Sequence, residues 1–197
     1  MEYLGRNITL IGEVKINSPS GFKSRYSWDY LFNLANKHPA VDMISIHTDK
    51  LWSGSFDLLK EARNMTKKPI LAKGYHPTDK DVRKAFNLGA DAVLVVGRIP
   101  NIALADFCYF EPISLDQLIS ISAMSGSYRI KTVVWNSRDI SHPNMEKQKS
   151  ENINLARLLW NKNLIQASKI KSLEDINPVA NGILVGSYLP EFLYSIK

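Results

Sequence analysis

Short apolar runs rich in Val, Ile and Leu alternate along this chain with stretches whose apolar residues recur every three to four positions. The first pattern predicts strands buried on both faces and the second predicts amphipathic helices. The opening run, ITLIGEVKINSPS from Ile8 to Ser20, breaks its apolar character with Glu13 and Lys15. If Leu10 and Gly12 face one side of the strand, Ile11, Glu13 and Lys15 face the other together. An opposite-charge pair at the end of a buried strand is costly, so it is either a structural ion pair before a turn or part of a site. The following Ser18-Pro19-Ser20-Gly21 offers hydroxyls and backbone N–H groups that could hold an anion.

A helix is predicted from Ser27 to Lys37, capped by Ser27 and carrying Tyr30, Leu31, Leu34 and Ala35 at helical spacing. Strand two is Val41 to Thr48. A loop, LWSGS, then leads to a helix from about Ser55 to Asn64. Strand three, Pro69 to Tyr75, ends near Lys73, and the helix begun by Thr78 stops at Gly89, a favoured C-terminal cap. DAVLVVG is strand four. Only PNIALA separates Arg98 from strand five, Asp106 to Phe110, which is too short for a full crossover helix. Ser114 caps the next helix, with Leu115, Leu118, Ile119 and Ile121. Strand six runs from Arg129 to Trp135. A polar stretch, Ser141 to Asn152, leads into the apolar helix INLARLLW. LIQAS is strand seven, SLEDINPVAN a short helix, GILVGSYL strand eight, and PEFLYSI closes the chain.

Eight strands alternating with about seven helices predict a minimal (β/α)₈ barrel in a single domain, with its fourth helix much reduced. Neither a glycine-rich dinucleotide fingerprint nor a phosphate-loop lysine motif is present, which argues against an open nucleotide-binding sheet. In such a barrel, chemistry collects at the C-terminal ends of the strands. There the chain places Glu13 and Lys15 from strand one, Lys73 from three, Glu111 from five, Asn136 and Arg138 from six, and Ser168 from seven, with Gly186-Ser187 ending strand eight. Two lysines and two glutamates thus converge on one cavity.

At 197 residues and 45% hydrophobic, the chain can bury one substantial core. No apolar run is long enough to span a bilayer and the first residues do not read as a signal peptide, which places the protein in the cytoplasm. A net charge of +6, scattered and without a basic arm, suits a small phosphorylated substrate better than nucleic acid. Cys108 reads as a core residue, and the four histidines lack metal-ligand spacing, so no metal site is read from them. The four tryptophans read as packing residues, although Trp52, in the loop after strand two, could reach a substrate ring.

The EVK and SPS runs, Lys73 ending strand three, Glu111 ending strand five, Asn136-Ser137-Arg138 ending strand six and VGS in strand eight together resemble the indole-3-glycerol phosphate synthase family. SIHTDKLWSGSFDLLKEAR and KPILAKGYHPTDKDVRKAFNLGADAVLVV resemble the middle of that family. The resemblance runs from Ile8 to Leu189. It implies a lyase of tryptophan biosynthesis that closes the indole ring of 1-(2-carboxyphenylamino)-1-deoxyribulose 5-phosphate, without metal or cofactor. By resemblance, Lys73 is the general acid, Lys15 binds the substrate carboxylate or acts as a second acid, and Glu13 orients the lysines. Glu111 serves the dehydration, and Asn136 and Ser168 bind substrate.

Phosphate is expected on Ser18, Ser20, Arg138, Gly186 and Ser187, since barrels of this type often bind it with the loops after strands seven and eight. Tyr75, where the family usually has phenylalanine, could stack on the anthranilate ring. Three departures accompany the resemblance. An N-terminal extension is missing, with seven residues before strand one, so a partner subunit or second copy could cover the site. Gly74 stands where the family has aspartate. Lys169 replaces a glycine after the strand-seven serine and would bind phosphate by charge. The alternative reading is a non-catalytic or partner-dependent phosphosugar-binding barrel. A phosphoribosylanthranilate isomerase would want cysteine and aspartate at strand ends, and Cys108 lies mid-strand.

Overall fold

Hydroxyl caps start four of the helices. Ser27 accepts from the Tyr30 N–H at the head of α1 (Trp28–Lys37) and Ser55 from Leu58 at α2 (Phe56–Met65). Thr78 accepts from Asp81 at α3 (Asp79–Asn87), where the Asp81 carboxylate accepts in return from the Thr78 N–H. Ser114 accepts from Gln117 at α5 (Leu115–Met124). Each such cap contributes about 1 kcal/mol. The computed structural model describes residues 1–3, 5–138 and 152–196. Among them α4 (Ile102–Ala105) is a single turn, and α6 (Ile153–Leu159) and α7 (Leu189–Ser195) complete the helices.

The strands are β1 (Thr9–Val14), β2 (Met43–His47), β3 (Ile70–Lys73), β4 (Ala92–Val96), β5 (Cys108–Glu111), β6 (Thr132–Asn136), β7 (Asn163–Ala167) and β8 (Gly182–Val185). Every neighbouring pair is parallel, and β8 pairs with β1, so the sheet closes into an eight-stranded (β/α)₈ barrel. Closure leaves no unpaired edge. Two apolar layers follow from the alternation along each strand. Ile11, Leu71, Leu94, Val134, Ile165 and Leu184 fill the barrel interior. Leu10, Ile44, Ile46 and Val93 face outward onto Phe32, Leu59 and Val82 of the helices. Gly12 faces that outer layer: a Cβ there would sit 3.3–3.5 Å from Val41, Ala35 and Leu189. Glu13 therefore faces inward, as the alternation from Ile11 requires.

Four local expectations are corrected. SLEDINPVAN forms only a 3-10 turn, Leu173–Asp175, because Pro178 supplies no amide donor and disfavours a helical residue before it. Strand eight stops at Val185; the Leu189 N–H bonds Gly186 O at 3.0 Å and opens α7. Strand six begins at Thr132, since Arg129 turns with φ 53°. Strand five begins at Cys108, because Asp106 caps α4. A short antiparallel pair, Glu2–Tyr3 with Arg6–Asn7, precedes the barrel. Of the polar stretch before α6, Asn152 caps that helix through the Asn154 and Leu155 N–H groups, and residues 141–151 lie outside the described residues. The shortness of α4 leaves Ile102 and Phe107 more than half exposed. No helix among the described residues is long and apolar enough to cross a membrane.

Candidate active site

The C-terminal ends of the strands surround one cavity, and every residue singled out from the sequence lines it. Glu13 closes in from β1, Lys73 from β3, Glu111 from β5 and Asn136 from β6. Lys15, Ser18 and Ser20 follow β1, Tyr75 follows β3, and Arg138 follows β6. Ser168 and Lys169 follow β7, and Gly186 and Ser187 follow β8. The side chains form three connected groups.

In the first group Glu13, 3% exposed, accepts from Lys73 Nζ at 3.0 Å and from His47 Nε2, both at Oε1. Burial by itself would raise the Glu13 pKa. The Lys73 and Lys15 ammoniums and the His47 hydrogen bond outweigh it and hold this carboxyl well below its usual range. Lys15 is driven down to about 8 by burial and by the cations Lys73 and Arg138, with Glu13 and Glu111 pulling the other way. That places Lys15 where it can exchange a proton near pH 8.

The second group is Glu111, Asn136 and Ser168. Asn136 Nδ2 donates to Glu111 Oε1 at 2.7 Å, while its carbonyl oxygen accepts from Ser168 Oγ at 2.5 Å and from the Arg138 N–H at 3.0 Å. A carboxylate only accepts, so this wiring fixes which end of the amide meets Glu111. In the third group Arg138 Nη1 donates to Ser20 Oγ at 2.8 Å, and Ser20 Oγ lies 2.8 Å from Ser18 Oγ. Ser168 and Lys169 both adopt left-handed backbone, with φ 73° and 60°. Two consecutive non-glycine residues in that region are strained and need support from their surroundings.

One side of the cavity is aromatic. The Trp52 ring lies 5.5 Å from that of Tyr75 and is stacked on His47 at 5.4 Å with an interplanar angle of 5°. Burial, then Glu111 and Asp49, push the Tyr75 phenol up, so it stays protonated as a donor. His47 is the residue that sequence reasoning missed by treating the histidines as bland. The signal was present: Met43, Ser45 and His47 alternate along β2 as Ile11 and Glu13 do along β1, and the alternation turns His47 inward. Among the described residues no group of three His, Cys, Asp or Glu stands close enough to hold a metal.

His47 and His76 are both buried and both depressed below 6.5, chiefly by burial. His76 bonds Leu94 O through Nδ1 at 2.6 Å and Thr48 Oγ1 through Nε2 at 2.9 Å. Below pH 6.5 the unfolded chain binds protons that the folded chain refuses, so stability falls with falling pH. The expected slope is up to about 1.4 kcal/mol per pH unit for each histidine. Urea unfolding between pH 7 and 5 measures it. Glu13 adds a separate loss at lower pH, below about 4.5, where the unfolded carboxyl takes up a proton that the folded one still refuses.

Comparison with known proteins identifies the family. The family model for indole-3-glycerol phosphate synthase matches residues 2–191. The chain is 26% identical to the indole-3-glycerol phosphate synthase of Sulfurisphaera tokodaii, across 95% of this chain and 80% of that one. It is 29% identical to that of Pyrococcus furiosus, across 91% and 85%. Among solved structures, a 3-hexulose-6-phosphate synthase superposes with a TM-score of 0.64 at 15% identity, covering 96% of this chain and all of that one, a likeness of fold alone. The chain belongs to the indole-3-glycerol phosphate synthase family.

Proposed function

We propose that this protein is a carboxy-lyase that closes the indole ring of 1-(2-carboxyphenylamino)-1-deoxyribulose 5-phosphate, releasing carbon dioxide and water. The observation that supports this best is the convergence of Lys15, Lys73, Glu13 and Glu111 on one cavity with a basic, hydroxyl-bearing rim. Ring closure joins the carboxylate-bearing aromatic carbon to the ketone carbon, and the ketone oxygen must gain a proton as the bond forms. Lys73 gives that proton. Lys15 neutralises the substrate carboxylate until carbon dioxide leaves and the ring regains aromaticity, and it serves as the second acid. In the dehydration, Lys15 as second acid gives the new hydroxyl its proton as it departs as water, and Glu111 accepts a proton from the carbon beside the ring nitrogen.

Asn136 and Ser168 hold the sugar hydroxyls, and the anthranilate ring lies against Trp52 and Tyr75. Ser18, Ser20, Arg138, Gly186, Ser187 and Lys169 receive the phosphate, with Arg138 and Lys169 supplying charge. We place the reaction in the cytoplasm, as a step of tryptophan biosynthesis.

The test is fluorescence-monitored conversion of this substrate by the purified protein as a function of pH. Turnover is expected, with kcat/KM falling as pH rises through about 8, where Lys15 gives up its ammonium charge. Binding without turnover would reassign the protein as a non-catalytic phosphosugar-binding barrel. Absence of binding would overturn the reading altogether.

A further inference from the structure

We propose that His47 is a positioning residue of this site, a clamp that keeps the Glu13 carboxylate in place when Lys73 turns to the substrate. This rests on the reaction proposed above. His47 ends β2 directly beside Lys73 in the sheet register, and both side chains point into the cavity. Their shared partner is one oxygen, Glu13 Oε1. The other oxygen, Oε2, lies against Gly186, where a Cβ would come within 2.1 Å of it. Glu13 is thus held on one side by two donors and on the other by bare backbone.

The two donors differ in what the reaction asks of them. To give a proton to the ketone, Lys73 has to aim at that oxygen, and its hold on Glu13 weakens as it does. His47 has no such duty. A carboxylate only accepts, so the His47 proton sits on Nε2 and the ring is fixed in one tautomer. Nδ1 is then a bare acceptor, buried and with no hydrogen-bond partner among the described residues. An apolar side chain would fill this space without stranding a polar atom, so packing alone gives no reason for an imidazole.

The ring is held for its task. Its face stacks on Trp52, and the loop carrying Trp52 folds back onto the end of β2. The Ser55 N–H bonds His47 O at 3.1 Å and the Gly54 N–H bonds Asp49 O at 3.0 Å. Gly54 permits this approach, since a Cβ there would lie 2.3 Å from His47 O. One imidazole therefore joins the carboxylate that orients the acid to the wall that receives the aromatic ring.

His47→Leu removes the N–H and keeps apolar bulk; His47→Gln offers an amide N–H at the same position along the side chain. Loss of a positioning contact made during the chemical step should lower kcat of the leucine variant at least about tenfold with KM held within about twofold, and glutamine should recover kcat to within about threefold of wild type. A merely structural role would move thermal stability and not this pattern. ¹⁵N NMR of the ligand-free protein supplies a readout independent of the reaction, and should show a neutral His47 protonated at Nε2. An unchanged kcat in a folded leucine variant, equal impairment of both variants, or an Nδ1–H tautomer would overturn the proposal. If the wild type converts no substrate, the reaction assignment falls by itself, and the tautomer decides the clamp.

Discussion

Replacing Lys73 with alanine is expected to lower kcat by about 10³-fold, within the range that a positioned general acid supplies. The variant should still fold. Glu13 keeps the His47 hydrogen bond and the Lys15 charge after the ammonium is removed, so the stability loss is expected at about 1–3 kcal/mol. Lys73→Arg separates the two contributions of this side chain. Arginine can keep a cation near Glu13 and cannot release its proton at any working pH. If proton donation is the role, the arginine variant fails as completely as alanine; if charge alone matters, it retains activity. A linked effect has a definite sign. Lys73 is one of the cations that depress Lys15, and removing it favours the Lys15 ammonium. The alkaline limb of any residual activity should therefore move above about 8. An alanine variant with wild-type kcat, or a limb moving downward, would remove Lys73 from the chemistry.

The barrel was legible because its strands are short, apolar and bounded by clear caps. Ser27, Ser55, Thr78 and Ser114 each start a helix where a hydroxyl is followed by helical spacing, and the hydrogen bonds bear this out. The residues gathered at the cavity were legible for one reason: in a parallel barrel, a polar residue interrupting an apolar run near its C-terminal end has a single place to go. What the pattern could not supply was connectivity between strands. That Glu13 shares one oxygen with His47 and Lys73, or that the Asn136 amide spans Glu111 and Ser168, depends on stagger between strands far apart in sequence. The failures were local. SLEDINPVAN contains helix formers, yet its proline and the sharp return to β8 allow one 3-10 turn. GILVGSYL reads as a continuous strand, yet Gly186 turns the chain into α7.

That turn carries the second large effect. Gly186→Ala is expected to lower kcat/KM by about 10²- to 10³-fold, a loss comparable to removing a preorganised electrostatic group. The added Cβ would meet Glu13 Oε2 at 2.1 Å and Glu13 Cδ at 2.8 Å, with Lys15 Cδ at 3.3 Å. Glu13 cannot swing into solvent at 3% exposure, and Lys73 and His47 hold its other oxygen. The backbone cannot readily retreat, because Gly186 O accepts the Leu189 N–H that opens α7. The carboxylate must therefore move, and both donors lose their aim at it, with an expected stability cost of about 1–3 kcal/mol from overpacking. A glycine needed only for close approach to phosphate predicts a different result, a raised KM with kcat preserved. Combining Gly186→Ala with Glu13→Ala in a double-mutant cycle decides between them. If alanine acts by displacing Glu13, the double variant is no slower than Glu13→Ala alone. If the losses multiply, Gly186 serves the phosphate and not the carboxylate, and the proposed link between β8 and the acid cluster is wrong.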